Sequence, residues 1–264
     1  MSEEKILNSR EAVAKVDKSN VLGSIEQLGD QVQHVWEIAE KIEIDSSYQD
    51  VNNIVVAGMG GSALGTDVIQ SVFSDEIKLP ITIVPHYEMP NFVNEKTLVI
   101  ASSYSGNTEE AIAAAKDAIQ KGAKVTGITS GGKLAELLKK HHLPALIFEP
   151  TYNPSNQPRM GLGYAIFGQI ALFSKIGLLK ISNKEYKAVL QTIANVHQSC
   201  GIDIPEESNS AKVLSYEFSQ RIPIITVAEH LEGVAHVFAN QLNENAKTYS
   251  EYRVVPEINH HLME

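Results

Sequence analysis

Two stretches decide the fold: Ile54-Val55-Val56-Ala57-Gly58-Met59-Gly60-Gly61-Ser62-Ala63 and Leu98-Val99-Ile100-Ala101-Ser102-Ser103-Tyr104-Ser105-Gly106-Asn107-Thr108. Each is a short apolar run that breaks into a turn rich in glycine or hydroxyls. Each turn then opens a helical pattern. Continuous apolar runs with helices between them are the mark of parallel strands covered on both faces. Two such turns on one sheet set backbone N–H groups, hydroxyls and helix N-termini around one crevice. A sugar phosphate needs this arrangement, and it needs no lysine or arginine at the outset.

Working outward, strands are expected at Ile54–Ala57, Ile81–Val84, Leu98–Ala101, Val125–Thr129 and Ala145–Phe148. Helices are expected at Ala63–Phe73, Glu109–Lys121, Leu134–His141 and Gly161–Ile176. The fold class is therefore α/β, with a doubly wound five-stranded parallel sheet over residues 51–180. Residues 1–50 read as a helical segment, with Leu22, Ile25, Leu28, Val32, Val35, Ile38 and Ile42 at helical spacing. Residues 181–264 read as connecting helices, 183–198 and 206–220, and then a second, incomplete α/β unit. That unit has strands at Pro223–Val227 and Tyr252–Pro256 around a helix at Leu231–Ala246. Two strands cannot cover their own faces. The unit must dock on the first sheet or on another subunit, or belong to something longer.

Composition narrows the function. The chain has 264 residues, 43% of them hydrophobic, and a formal net charge of −10. An acidic chain without a basic run is a poor partner for nucleic acid or an anionic membrane surface. The longest apolar tract, around Ala165 to Leu179, is broken by Gly168, Gln169, Ser174 and Lys175 and falls short of the roughly 20 residues of a membrane span. Met1 to Arg10 has no apolar signal core. A single cysteine, Cys200, excludes an internal disulfide framework and a paired-cysteine metal site, which fits the cytoplasm.

In the first turn, Gly58, Gly60 and Gly61 allow positive φ and close ligand approach, and Ser62 suits a helix N-cap or first-turn hydroxyl. The second turn holds Ser102, Ser103, Ser105 and Thr108 within seven residues, before Glu109 and Glu110. Capping by Ser105 or Asn107 would need one hydroxyl. Several at a helix N-terminus fit a phosphate cradle. A third turn, Thr129-Ser130-Gly131-Gly132, reads as plain. Pro158-Arg159 offers an arginine at the mouth of an otherwise uncharged pocket, where it can stabilise an anionic intermediate. Glu244, within Gln241–Lys247, and His260 supply a carboxylate and an imidazole for proton shuttling. His260 and His261 are adjacent and point apart, so they do not form a metal pair.

GMGGSA at 58–63, SYSGNTEE at 103–110, PR at 158–159, QLNENAK at 241–247 and PEINH at 256–260 resemble the bifunctional phosphoglucose/phosphomannose isomerases, built from two sugar isomerase (SIS) domains. The resemblance implies metal-free interconversion of glucose 6-phosphate, and of mannose 6-phosphate, with fructose 6-phosphate through a cis-enediol. It implies no cofactor and a cytoplasmic homodimer whose site is shared between subunits. Glu244 would move the proton between C1 and C2, Arg159 would stabilise the enediolate, and His260 would help open the ring from the neighbouring subunit. Gly60, Gly61, Ser62, Ser103, Ser105 and Thr108 would hold the phosphate or nearby hydroxyls. Two features depart from the family. His236-Val237-Phe238-Ala239-Asn240 stands where the family has an arginine and a lysine. The family's C-terminal lysine also has no counterpart, as expected of a C-terminally truncated member. The alternative is a sugar-phosphate-binding SIS module with impaired catalysis. A DNA-binding regulator is disfavoured by the acidic charge and the lack of a basic helix-turn-helix. A nucleotide-binding Rossmann enzyme is disfavoured by Pro85-His86-Tyr87, where an acid should end the second strand.

Overall fold

A computed structural model describes residues 6–262; residues 1–5 of the N-terminal segment and residues 263–264 lie outside the described residues. Helices α1 (Arg10–Val16), α2 (Val21–Glu26) and α3 (Leu28–Glu40) precede the sheet. Strands β1 (Asn53–Gly58), β2 (Ile81–Val84), β3 (Thr97–Ser102), β4 (Lys124–Thr129) and β5 (Ala145–Ile147) then alternate with α4 (Leu64–Val72), α5 (Glu109–Gln120) and α6 (Gly132–Lys140). All five strands are parallel, in the order β2-β1-β3-β4-β5.

The strands form because their apolar runs are buried on both faces. Every residue of β3 is buried. Alternate side chains serve opposite layers. Ile54, Val56, Leu98 and Ile100 face Val35 of α3 and Leu172, Phe173 and Ile176 of α7 (Gly168–Ile176). Val55, Ala57, Val99 and Ala101 face the alanines of α5 and Leu134 and Leu138 of α6. The sheet is thus doubly wound, as the sequence implies. Its strand order reverses direction between β1 and β3. In open α/β sheets that switch point opens a crevice at the carboxyl ends of the strands. Gly58 pairs with Ser102 at those ends.

The rest of the chain comprises α8 (Asn183–Cys200), α9 (Ser210–Phe218), β6 (Ile224–Ala228), α10 (Glu232–Gln241) and β7 (Glu251–Val255). Strands β6 and β7 pair in parallel as a separate two-stranded sheet, with α10 as their crossover. No residue of either strand is buried. The unit docks on the first sheet's layer through α10, which packs along α4. Among the described residues no helix is long and apolar enough to cross a membrane.

The expected helix 206–220 is a 3₁₀ turn, Glu206–Ser208, and then α9, which Asn209 caps. Two further helices carry a π-turn. The expected helix Leu231–Ala246 is α10 followed by a π-turn, Leu242–Ala246. The expected helix Gly161–Ile176 is a π-turn, Gly163–Phe167, followed by α7. The periods of α and π turns are too close to separate over five residues of sequence.

Candidate active site

The first loop leaves β1 as Met59 and a 3₁₀ turn, Gly60–Ser62, before α4. Only Gly60 there takes positive φ, at +50°. Gly58 is instead the end of β1, where a Cβ would stand 3.1 Å from the Ser102 carbonyl. Among the described residues, a Cβ on Gly60 or Gly61 would meet nothing within 4 Å. The protein does not fill that space, so it is open to a ligand. Ser62 is not an N-cap; Ala63 holds that position. The Ser62 hydroxyl accepts from the Tyr104 N–H at 3.0 Å. The Ser62 carbonyl accepts from Ser102 Oγ and from Gln169 Nε2, both at 2.6 Å. The two loops are stitched into one rim.

In the second loop, Ser103 is fully buried and its hydroxyl pairs with Thr108 Oγ1 at 2.8 Å while accepting from the Gly106 N–H at 3.1 Å. Ser105 is exposed and accepts from the Asn107 N–H at 3.3 Å. Neither Ser105 nor Asn107 caps α5. Thr108 is the N-cap without a side-chain cap bond, and among the described residues no side chain bonds the first-turn N–H groups. These orphan donors and the positive end of the helix dipole face the crevice side of the sheet. The third loop buttresses the second: Ser130 gives both its N–H and its hydroxyl to the Tyr104 carbonyl, at 2.8 and 2.7 Å. A Cβ on Gly106 would lie 1.8 Å from the Gly131 carbonyl.

Arg159 sits on a 3₁₀ turn, Pro158–Met160, and is half-buried. Its Nε donates to Asn245 Oδ1 at 2.8 Å, and its Nη1 donates to Gln157 Oε1 at 2.9 Å. Asn245 Nδ2 donates to Gln241 Oε1 at 2.7 Å, and Gln241 Nε2 returns to the Arg159 carbonyl at 3.2 Å. The three residues close a ring that orients the guanidinium. Nη2 has no protein partner among the described residues, which leaves one edge for a ligand.

Glu244 lies on the π-turn beside this ring, half-buried, and its carboxylate makes no hydrogen bond or ion pair among the described residues. Lys247 Nζ bonds the Glu244 carbonyl at 2.5 Å and so leaves the carboxylate unengaged. Helix α10, which leads into that turn, also contacts the Gly60–Ser62 turn. His260 ends a 3₁₀ turn, Glu257–His260, anchored by buried Ile258, and is itself exposed. No hydrogen bond or ion pair joins His260 to Glu244 or Arg159 among the described residues. No cluster of His, Cys, Asp and Glu able to hold a metal occurs among the described residues.

The sequence reasoning missed Gln157, Gln241 and Asn245 as partners of Arg159. The i,i+4 spacing of Gln241 and Asn245, which places both on one helix face, was the available signal. It also missed Gln169, whose amide reaches from α7 to the first loop.

Residues 47–145 match the SIS domain family, and residues 207–263 match the bacterial phospho-glucose isomerase C-terminal SIS domain. The chain is 35% identical to a bifunctional phosphoglucose/phosphomannose isomerase of Caldicellulosiruptor bescii, over 90% of this chain and 69% of that one. It is 30% identical to the protein of that name from Thermoplasma volcanium, over 84% of this chain and 67% of that one. The C-terminal domain of glucosamine-fructose-6-phosphate aminotransferase from Francisella tularensis shares the fold, with a TM-score of 0.67 at 14% identity over 92% of this chain and 72% of that one.

Proposed function

The chain belongs to the bifunctional phosphoglucose/phosphomannose isomerase family, and from that premise we propose that it interconverts glucose 6-phosphate, and mannose 6-phosphate, with fructose 6-phosphate. The observation that carries this reading is the Arg159–Asn245–Gln241 ring, which ties the Pro158–Met160 turn to the turn bearing an unengaged carboxylate.

The scheme uses each part once. The first-turn N–H groups of α5, with Ser62, Ser105 and Thr108 and the open backbone of Gly60 and Gly61, take the phosphate, while buried Ser103 holds Thr108 in place. Glu244 removes a proton from C2 of the aldose or C1 of the ketose and returns it to the neighbouring carbon. Arg159 offers Nη2 to the developing enediolate oxygen. Both C2 epimers collapse to one enediol, so one carboxylate serves glucose and mannose phosphates. His260 is exposed in a single chain, which supports a role completed in a homodimer, where it assists ring opening in the neighbouring site. The cytoplasm is the compartment that fits this substrate class.

The test is a coupled assay of glucose 6-phosphate formation from fructose 6-phosphate, repeated with Glu244→Gln. Turnover in the parent and none in the variant, with phosphosugar binding retained in both, is the expected result. Turnover by Glu244→Gln at the parental rate overturns the assignment.

A further inference from the structure

Helix α10 meets α4 at a joint that no site residue above occupies. Ser71 Oγ, on α4, accepts from the Gly233 N–H at 3.1 Å, so α4 satisfies an orphan donor in the first turn of α10. A Cβ on Gly233 would stand 2.3 Å from the Asp67 carbonyl, so only glycine lets the two backbones come this close. One turn on, His236 Nδ1 lies 3.0 Å from Asp67 Oδ2. Tyr252 of β7 stacks on the imidazole, with centroids 5.0 Å apart and planes at 30°. Gln70 and Glu232 complete the lining of this small cleft.

Both ends of the joint lead to the site. Helix α4 begins two residues after Ser62. Helix α10 runs without a break into the π-turn of Glu244. A change in the seating of α10 on α4 therefore moves the carboxylate relative to the phosphate loops.

We infer that Asp67 and His236 are positioning residues for the isomerisation: the Asp67–His236 bond sets where α10 delivers Glu244 over the first glycine loop. The inference rests on the reading of Glu244 as the base. The phosphate loops belong to the first sheet and not to α10, so the bond governs the chemical step and leaves phosphate capture alone.

His236→Phe keeps a ring to stack on Tyr252 and removes the donor. His236→Asn places an N–H at the same δ position and removes the ring. The full chain is assayed with fructose 6-phosphate in parent, both variants and Glu244→Gln, together with amide hydrogen exchange over residues 232–246. In His236→Phe, kcat is expected to fall about 10- to 100-fold, the scale of a misplaced catalytic group. KM is expected to hold within about twofold, since ground-state binding is untouched. Exchange over 232–246 is expected to quicken, and His236→Asn is expected to restore both kcat and protection. Parental kcat in His236→Phe while Glu244→Gln is dead overturns the positioning role alone. A live Glu244→Gln overturns the base assignment instead. Unchanged exchange in His236→Phe, or no rescue by His236→Asn, also overturns the positioning role, and the exchange reading does not depend on turnover.

Discussion

Arg159 Nε and Asn245 Oδ1 lie 2.8 Å apart across 86 positions of sequence, and this bond joins the two parts of the chain where the chemistry is proposed. Arg159 uses Nε and Nη1 for the scaffold and keeps Nη2 for the ligand. Lysine cannot divide its donors this way, since it presents one flexible ammonium in place of a planar fork. Arg159→Lys should therefore lower kcat about 100-fold, the scale of a lost transition-state donor. Asn245→Ala, which only frees the guanidinium, should cost about tenfold because alignment and not charge is lost. Steady-state kinetics on the two variants checks the order.

The glycines of the two loops should separate on substitution. Gly61→Ala adds a methyl where nothing lies within 4 Å, at a φ that any residue adopts. Its melting temperature should match the parent, while KM for fructose 6-phosphate rises on the order of tenfold, about 1.4 kcal/mol. Gly106→Ala meets the Gly131 carbonyl at 1.8 Å with φ at +69°. It should lose at least ~2 kcal/mol of stability through strain. Thermal melts with and without ligand distinguish a reserved space from a filled one.

Asp117 offers a pH test of the scaffold away from the site. Burial works to raise its carboxyl, but the Met89 N–H at 2.7 Å and Lys121 at 3.1 Å outweigh it and hold it below the ordinary carboxylate range. A depressed folded value means that the stabilisation is present above the unfolded value of about 3.9 and is lost as pH falls through the folded one. Asp117→Ala should cost about 1–2 kcal/mol at neutral pH. The gap to the parent should narrow below about pH 4. Urea titrations at a series of pH values measure it.

Light scattering on the purified chain should give twice the 28.9 kDa of one copy. His260→Ala should then slow turnover from the cyclic sugar more than from its open-chain form. A monomer with full turnover removes the shared site and leaves His260 without its proposed role.

The five strands were legible because continuous apolar runs have one common use, burial on both faces of a parallel sheet. The loops were legible as a phosphate rim from their hydroxyl count, but the work of each hydroxyl was not. Ser62 reads locally as a helix cap, yet its partner is the backbone of Tyr104, 42 positions on and in the loop that follows β3. Ser103 reads as a ligand group, and much of its bonding capacity goes to Thr108 and Gly106. Such partners are chosen by strand order, which local sequence does not encode. Gln241 and Asn245 stood in a motif whose wording was plain, but the arginine they hold is 82 and 86 positions away.

The turn Leu242–Ala246 carries one residue more than an α-helical ladder calls for. In register terms it is an insertion retained inside a helix. The turn absorbs that residue locally, so α10 keeps its seat on α4 while the backbone widens at Glu244. A residue removed from α10 itself, between His236 and Gln241, has no such outlet. It would swing Glu244 and Asn245 by about 100° around the helix axis and draw them back by about 1.5 Å. Asn245 would then lose Arg159, although every residue of the motif survived. Spacing ahead of the turn is as much a determinant of the site as composition, and a homologue one residue shorter in α10 would keep the signature while losing the geometry.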